Sequence, residues 1–137
     1  MSNLLKGISQ LVENEMAGYT LGTNLFHGYQ PANEPMECTA LIYSGIGGFE
    51  FDLPDSQQIR IQMLSRANDM PTAFEDNYTF FEQYKRRIYV DIPLIVSGTQ
   101  WVIQIMEANH PPYSIGIDQR GRFEVVTNFL ATIKIKE

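Results

Sequence analysis

A single cysteine among 137 residues, Cys38, has no partner for an internal disulfide, and the count alone excludes a cysteine-rich zinc site. Histidine is almost as scarce. His27 and His110 stand far apart and in no short-spaced ligand pair, so a metal centre would have to be assembled from distant carboxylates. No window approaches the roughly 18 apolar residues of a membrane span. The opening Met1-Ser2-Asn3-Leu4-Leu5-Lys6-Gly7 lacks the apolar centre of a signal peptide, and the expectation is a chain made in a reducing cytoplasm. Positive charge is also missing where it would matter for nucleic acid. Residues 1–56 hold one lysine against the seven acids Glu13, Glu15, Glu34, Glu37, Glu50, Asp52 and Asp55, while residues 57–137 balance nine against nine. Proteins that bind nucleic acid without regard to sequence take their affinity from Lys and Arg displacing counterions at phosphates, and this chain, at −6, has the opposite sign.

Catalytic signatures are equally sparse. Gly45-Ile46-Gly47-Gly48 lacks the following Lys-Ser/Thr of a phosphate loop and leads into an acidic strand rather than a helix. None of the serines sits in a nucleophile elbow. Cys38 has no identifiable base nearby in sequence and reads as a small buried hydrophobe. Asp52 and Asp55 read as solvated surface acids. Asn77-Tyr78-Thr79 matches a glycosylation sequon, but it falls inside a predicted helix of a chain with no secretory signal. No cofactor site is indicated.

What is present is enough apolar material for one domain: 44% hydrophobic residues against 19% charged, which excludes disorder by composition. Leu4, Leu5, Ile8, Leu11, Val12 and Met16 recur at three- and four-residue intervals, predicting a helix from Ser2 that ends at Gly18. Strands are predicted over Leu25 to Tyr29, over Glu37 to Ser44 with the glycines breaking it, over Phe49 to Asp52, and over Gln58 to Arg66. Asp69 and Pro71 mark a helix start, and the helix is predicted to run to about Arg87 with Phe74, Tyr78, Phe81 and Tyr84 as its apolar face. Lys85-Arg86-Arg87 would then meet the negative end of its dipole. Strands over Ile88 to Val96 and Gln100 to Glu107 form a hairpin around Ser97-Gly98. Asn109-His110-Pro111-Pro112-Tyr113 is irregular, Asp118-Gln119-Arg120-Gly121 turns, and Phe123 to Ile135 is a long final strand. The order predicts an α+β single domain, a mainly antiparallel sheet with an N-terminal and a central helix packed on it. Aromatics spread around more than one side of the central helix, and Phe80, Tyr89 and Tyr113 are candidates for an intermolecular contact.

Two stretches carry a family likeness. Ile59-Arg60-Ile61-Gln62-Met63-Leu64-Ser65-Arg66-Ala67-Asn68-Asp69, a strand ending in a polar turn before the central helix, is one. The other runs from Asn109-His110-Pro111-Pro112-Tyr113 through Gly116, Asp118 and Gly121 to Phe123 and Asn128-Phe129. Together with the element order they resemble the tail-terminator proteins of long-tailed bacteriophages, also labelled minor capsid or tail-completion proteins. The likeness in element order spans most of the chain and its residue support about a third. It implies a structural virion protein, assembled in the host cytoplasm, that forms a homo-hexameric ring at the head-proximal end of the tail. Such a ring stops the tail tube protein from polymerising and presents a surface to a head–tail connector or stopper protein, with DNA only passing through its channel. The ring and tube contacts expected on that basis are Tyr113, Ile115, Asp118, Arg120, Arg122, Phe123, Asn128 and Phe129, with Arg120 and Arg122 pairing a neighbour's acids. Glu34, Glu37, Glu50, Asp52 and Asp55 would line the channel, where like charge keeps DNA from adhering. The rivals are another head–tail joining protein and an enzyme of unfamiliar type built around His27 or His110.

Overall fold

The computed structural model describes residues 2–32, 36–49, 56–93 and 100–135. The apolar stripe of the first helix, α1 (Ser2–Glu15), buries Leu4, Ile8, Leu11 and Val12, and Met16 just beyond it is buried too. The chain then swings round Gly18, whose φ of +89° suits a residue without a Cβ. β1 (Leu25–His27) follows, then β2 (Cys38–Phe49) and β3 (Ser56–Ala67). The glycines expected to end β2 do not end it. The strand continues through them to Phe49, and shifts of register against β3 between Tyr43 and Gly45 and between Ile46 and Gly48 absorb the irregularity as bulges.

The central helix, α2, spans Met70–Tyr84. Its cap is the one expected: Asp69, in extended backbone, accepts from the Thr72 amide (2.9 Å) and hydroxyl (3.0 Å), which hold its carboxyl below the usual range. The buried face is not. Ala73, Asn77, Phe80 and Tyr84 face the core, whereas Phe74 and Tyr78 are exposed. The polar Asn77 sets this rotation, because its side chain donates to the Met63 carbonyl (2.9 Å) and the Ser65 hydroxyl (3.0 Å). The helix also stops short of the basic cluster. Lys85 is its C-cap, and Arg86 and Arg87 open β4 (Arg86–Asp91), where Arg87 pairs with Glu15 of α1 rather than with a helix dipole.

β5 (Trp101–Ala108), β6 (Tyr113–Ile117) and β7 (Phe123–Ile135) complete one seven-stranded sheet of order β1-β2-β3-β7-β5-β4. Among the named pairs only β1 and β2 run parallel. β6, absent from the sequence expectation, lies beside the first half of β7 as β5 lies beside the second. The two are separated by the proline stretch, which is pinned in place. The Asn109 amide donates to the Asn128 carbonyl (2.8 Å), and His110 Nε2 accepts from the Asn128 amide (3.2 Å). That leaves Nδ1–H to donate to the Pro111 carbonyl (2.7 Å).

Register puts Leu41, Ile61, Met63, Phe129, Ala131 and Ile133 on one face with the buried residues of both helices, forming the main core. The fold is thus α+β, one domain with two helices packed on one side of a mostly antiparallel sheet.

Candidate interaction surface

Strands β4 and β6 present several strongly exposed apolar side chains. On β6, Tyr113, Ile115 and Ile117 are 47%, 51% and 60% exposed, and among the described residues no strand pairs with its far side. A register shift between Ser114 and Gly116, with Gly116 at φ +121°, kinks the strand. On β4, Ile88 and Tyr89 are each 61% exposed, and Tyr89 takes φ +45°, a left-handed conformation costly for an aromatic residue. Among the residues picked out for contacts, Tyr89 and Tyr113 are therefore at the surface. Phe80 is fully buried, edge-on to Tyr19 at 4.7 Å.

The turn after β6 is held from inside. Asp118 accepts from the Arg120 amide (2.9 Å), the Arg122 amide (3.0 Å) and Arg122 Nε (2.7 Å), and these bonds keep its carboxyl below the ordinary range. Arg122 is buried and reaches on to the Ala32 carbonyl (2.6 Å), and Arg66 donates to the Pro31 carbonyl beside it. Arg122 therefore has its ion-pair partner within the chain, while Arg120 is exposed at the rim of a 430 Å³ hollow bordered by Gln30 and Gln119. Phe123 packs half-buried against Ala67, Ala73 and Val125. Asn128 is half-buried between Gln62 (3.2 Å) and His110, and Phe129 is fully buried under the helices. Only Tyr113, Ile115 and Arg120 of the expected contact set are thus largely open to solvent, with Asp118, Phe123 and Asn128 partly so. His110, one of the two histidines of the enzymatic alternative, orders the β5–β6 kink.

Of the acids expected along a channel, Glu34, Glu50, Asp52 and Asp55 lie outside the described residues. Glu37 is exposed and shares a 310 Å³ cleft with Tyr19, Asn24, Cys38 and Asp76. Burial, helped by the hydrogen-bonded Glu37 carboxyl, pushes Asp76 up from 3.8 to about 7. An acid raised on folding stabilises the fold fully below its unfolded value, and that contribution is lost as pH rises through about 7. Asp76 is partly exposed, so solvent screening reduces the loss between pH 5 and pH 8 to about 1–2 kcal/mol. Asp76→Asn, which cannot ionise, is expected to melt above the wild type at pH 8, with the gap closing toward pH 5. Thermal unfolding at both values checks this, and parallel pH profiles for the two proteins would exclude it.

Two features of this surface escape the sequence expectations. One is the outer side of α2, where Phe74 stacks on Tyr78 (6.4 Å) and Tyr78 lies 5.5 Å from Phe81. Asp76, on the other flank, faces the Glu37 side of the sheet, so the aromatic flank is turned toward β5 and β6. The aromatic spread around the helix was the available signal. The other is Ile117, hidden in the unassigned stretch before the turn.

The described residues contain no group of three or more His, Cys, Asp or Glu placed to hold a metal ion, and no helix among them is long and apolar enough to cross a membrane. Burial raises the Cys38 thiol, the opposite of nucleophile activation. Compared with known proteins, the chain matches no family model and no curated protein.

Proposed function

We propose that this chain is a structural virion protein of the tail-terminator kind. Six copies form a ring on the head-proximal end of a tail tube, stop its polymerisation and give the head a surface to join. The observation that carries this is β6: an edge strand bearing three exposed apolar side chains, lying within the segment on which the family likeness rests. Isolated exposed hydrophobics are ordinary, but three on five residues of an edge that no strand among the described residues pairs suit strand addition by a tube subunit. The acid excess of residues 1–56 favours a passage that DNA crosses without binding.

Removing the gene from its phage tests this. The expected result is tubes of uncontrolled length beside full heads, and a purified protein whose mass by light scattering is six times that of the chain. Capped tails of normal length beside unjoined full heads would instead assign the chain to a stopper or connector role. A second check is local: Ile115→Asp with Ile117→Asp is expected to abolish tube capping while leaving ring mass and melting temperature unchanged.

A further inference from the structure

The sheet has a notch, and the central helix overhangs it. Beside β7 a single column of the sheet is shared by two strands, β5 along residues 129–135 and β6 along residues 123–126. The next column is filled only in its upper half. β4 lies along β5 from Arg86, opposite Glu107, to Asp91, and among the described residues no strand lies along β6. The opening is the size of a short strand, since the five residues of β6 span about 17 Å. The described residues that flank 50–55 and 94–99 are at the opposite end of the sheet, where Ser56 pairs with Lys134 and Trp101 with Ile135.

The roof of the notch is α2. Its first turn lies over Val125 through Ala73, and Asn77 ties its middle to β3 and β7. Just past its end the Lys85 carbonyl accepts from the Ala108 amide (3.0 Å), where β5 gives way to the segment leading into β6. Between those points runs the flank of Phe74, Tyr78 and Phe81. Charge there is matched within the helix, Glu82 pairing with Lys85 at 3.0 Å.

Both sides of the opening are apolar. Register sets Ile117 opposite Phe123, which packs under α2 with Ala73, so Ile117 stands on the helix side with Phe74 and Tyr78. Tyr113, opposite Val126, stands on the other side, its ring 4.7 Å from that of His110. Phe74, Tyr78, Tyr113 and Ile117 are all exposed. Main-chain bonding at the kink is limited, because the Gly116 amide donates to the Ser114 hydroxyl (3.2 Å). Recognition therefore falls on the side chains at the two ends of β6.

Resting on the tail-terminator reading, we propose that the tube subunit inserts into this notch an extended segment of about five residues with apolar side chains on both faces. Alternate side chains of an added strand point to opposite sides of a sheet. One set meets Phe74, Tyr78 and Ile117 beneath the helix, and the other meets Tyr113. The segment completes the column that β4 begins, and it is a continuous apolar run rather than the one-sided alternation of a strand with a wet face.

Capping of purified tubes, taken from a phage that lacks this gene, tests the notch. Phe74→Ser with Tyr78→Ser on the helix side, and Tyr113→Ser on the other, are each expected to raise the concentration for half-maximal capping about tenfold or more. All three side chains are exposed, so melting temperature and ring mass are expected to stay at wild-type values. Tyr29→Ser, at an exposed aromatic beyond β1, is expected to cap as the wild type does. A photo-crosslinker, p-benzoylphenylalanine, placed at Tyr78 is expected to capture an uninterrupted apolar stretch of the tube subunit. Helix-side variants that cap as well as wild type overturn the notch and leave the terminator standing, as does a crosslink to a tube segment whose alternate residues are polar. A crosslink to a second copy, with ring mass lost in the Phe74 and Tyr78 variant, overturns the tube as occupant and assigns the flank to the ring contact. Equal loss of capping in Tyr29→Ser overturns the assignment to the notch. A wild type that leaves tube growth unchecked overturns the terminator reading itself, and this inference with it.

Discussion

Asn77→Ala is expected to destabilise the protein by about 3–5 kcal/mol, one of the two largest effects of any single substitution considered for this chain. The side chain is fully buried, and its amide ties α2 to two strands. Nδ2 donates to the Met63 carbonyl and the Ser65 hydroxyl on β3, and Oδ1 accepts from the Thr127 hydroxyl on β7. Ser65 in turn shares a bond of 2.8 Å with Thr39 on β2, so one amide sits at the centre of a fully buried network across three strands. Alanine removes the hub and leaves buried hydroxyls without this partner, each at a cost of about 1–3 kcal/mol. Chemical denaturation reads the loss as a fall in midpoint, with a melting temperature lower by roughly 10–20 °C. Asn77→Leu combined with Ser65→Ala, Thr127→Val and Thr39→Val, which removes the side-chain polar partners together, is expected to recover much of the deficit. A loss below about 1 kcal/mol for Asn77→Ala would show that the network contributes little beyond packing.

The same residue explains where the sequence is opaque. Periodicity locates α2 and its cap, because Asp69, Pro71 and a run of apolar residues act locally. Its rotation depends on a polar residue that turns inward to meet β3 and β7, and an apolar count assigns Asn77 to solvent and Tyr78 to the core. The bounds of β3, β5 and β7 were legible to within a residue or two, since apolar residues recur at alternate positions in their sequences, although in β5 a register shift puts Ile103 and Ile105 on opposite faces. β6 was not, because prolines precede it and Gly116 interrupts its alternation, and its existence depends on pairing with Val126 to Phe123. The likeness to tail terminators drew attention to the 109–129 segment, but which of its side chains face outward is settled by the β5–β6 kink and the turn at Asp118. Tyr113 and Ile115 emerge as surface, Arg122 and Phe129 as interior.

Arg122→Ala carries the second large effect, a loss of about 2–4 kcal/mol, and it bears directly on how assembly is to be tested. The Arg122 guanidinium is nearly enclosed, paired with Asp118 at 2.7 Å and bonded to the Ala32 carbonyl at 2.6 Å, so removing it strips partners from both and opens a void beside Arg66. Charge reversal there would bring a second carboxylate against Asp118 and fail in folding before it could report on a neighbouring subunit. Arg120, two residues away and exposed, is expected to change stability by less than about 0.5 kcal/mol when replaced by Glu. Urea unfolding of Arg122→Ala and Arg120→Glu side by side separates these roles. An Arg122→Ala protein within about 0.5 kcal/mol of wild type would mean that the amides at Arg120 and Arg122 hold the turn by themselves. Lost tube capping in Arg120→Glu at unchanged stability would place the turn itself on the tube.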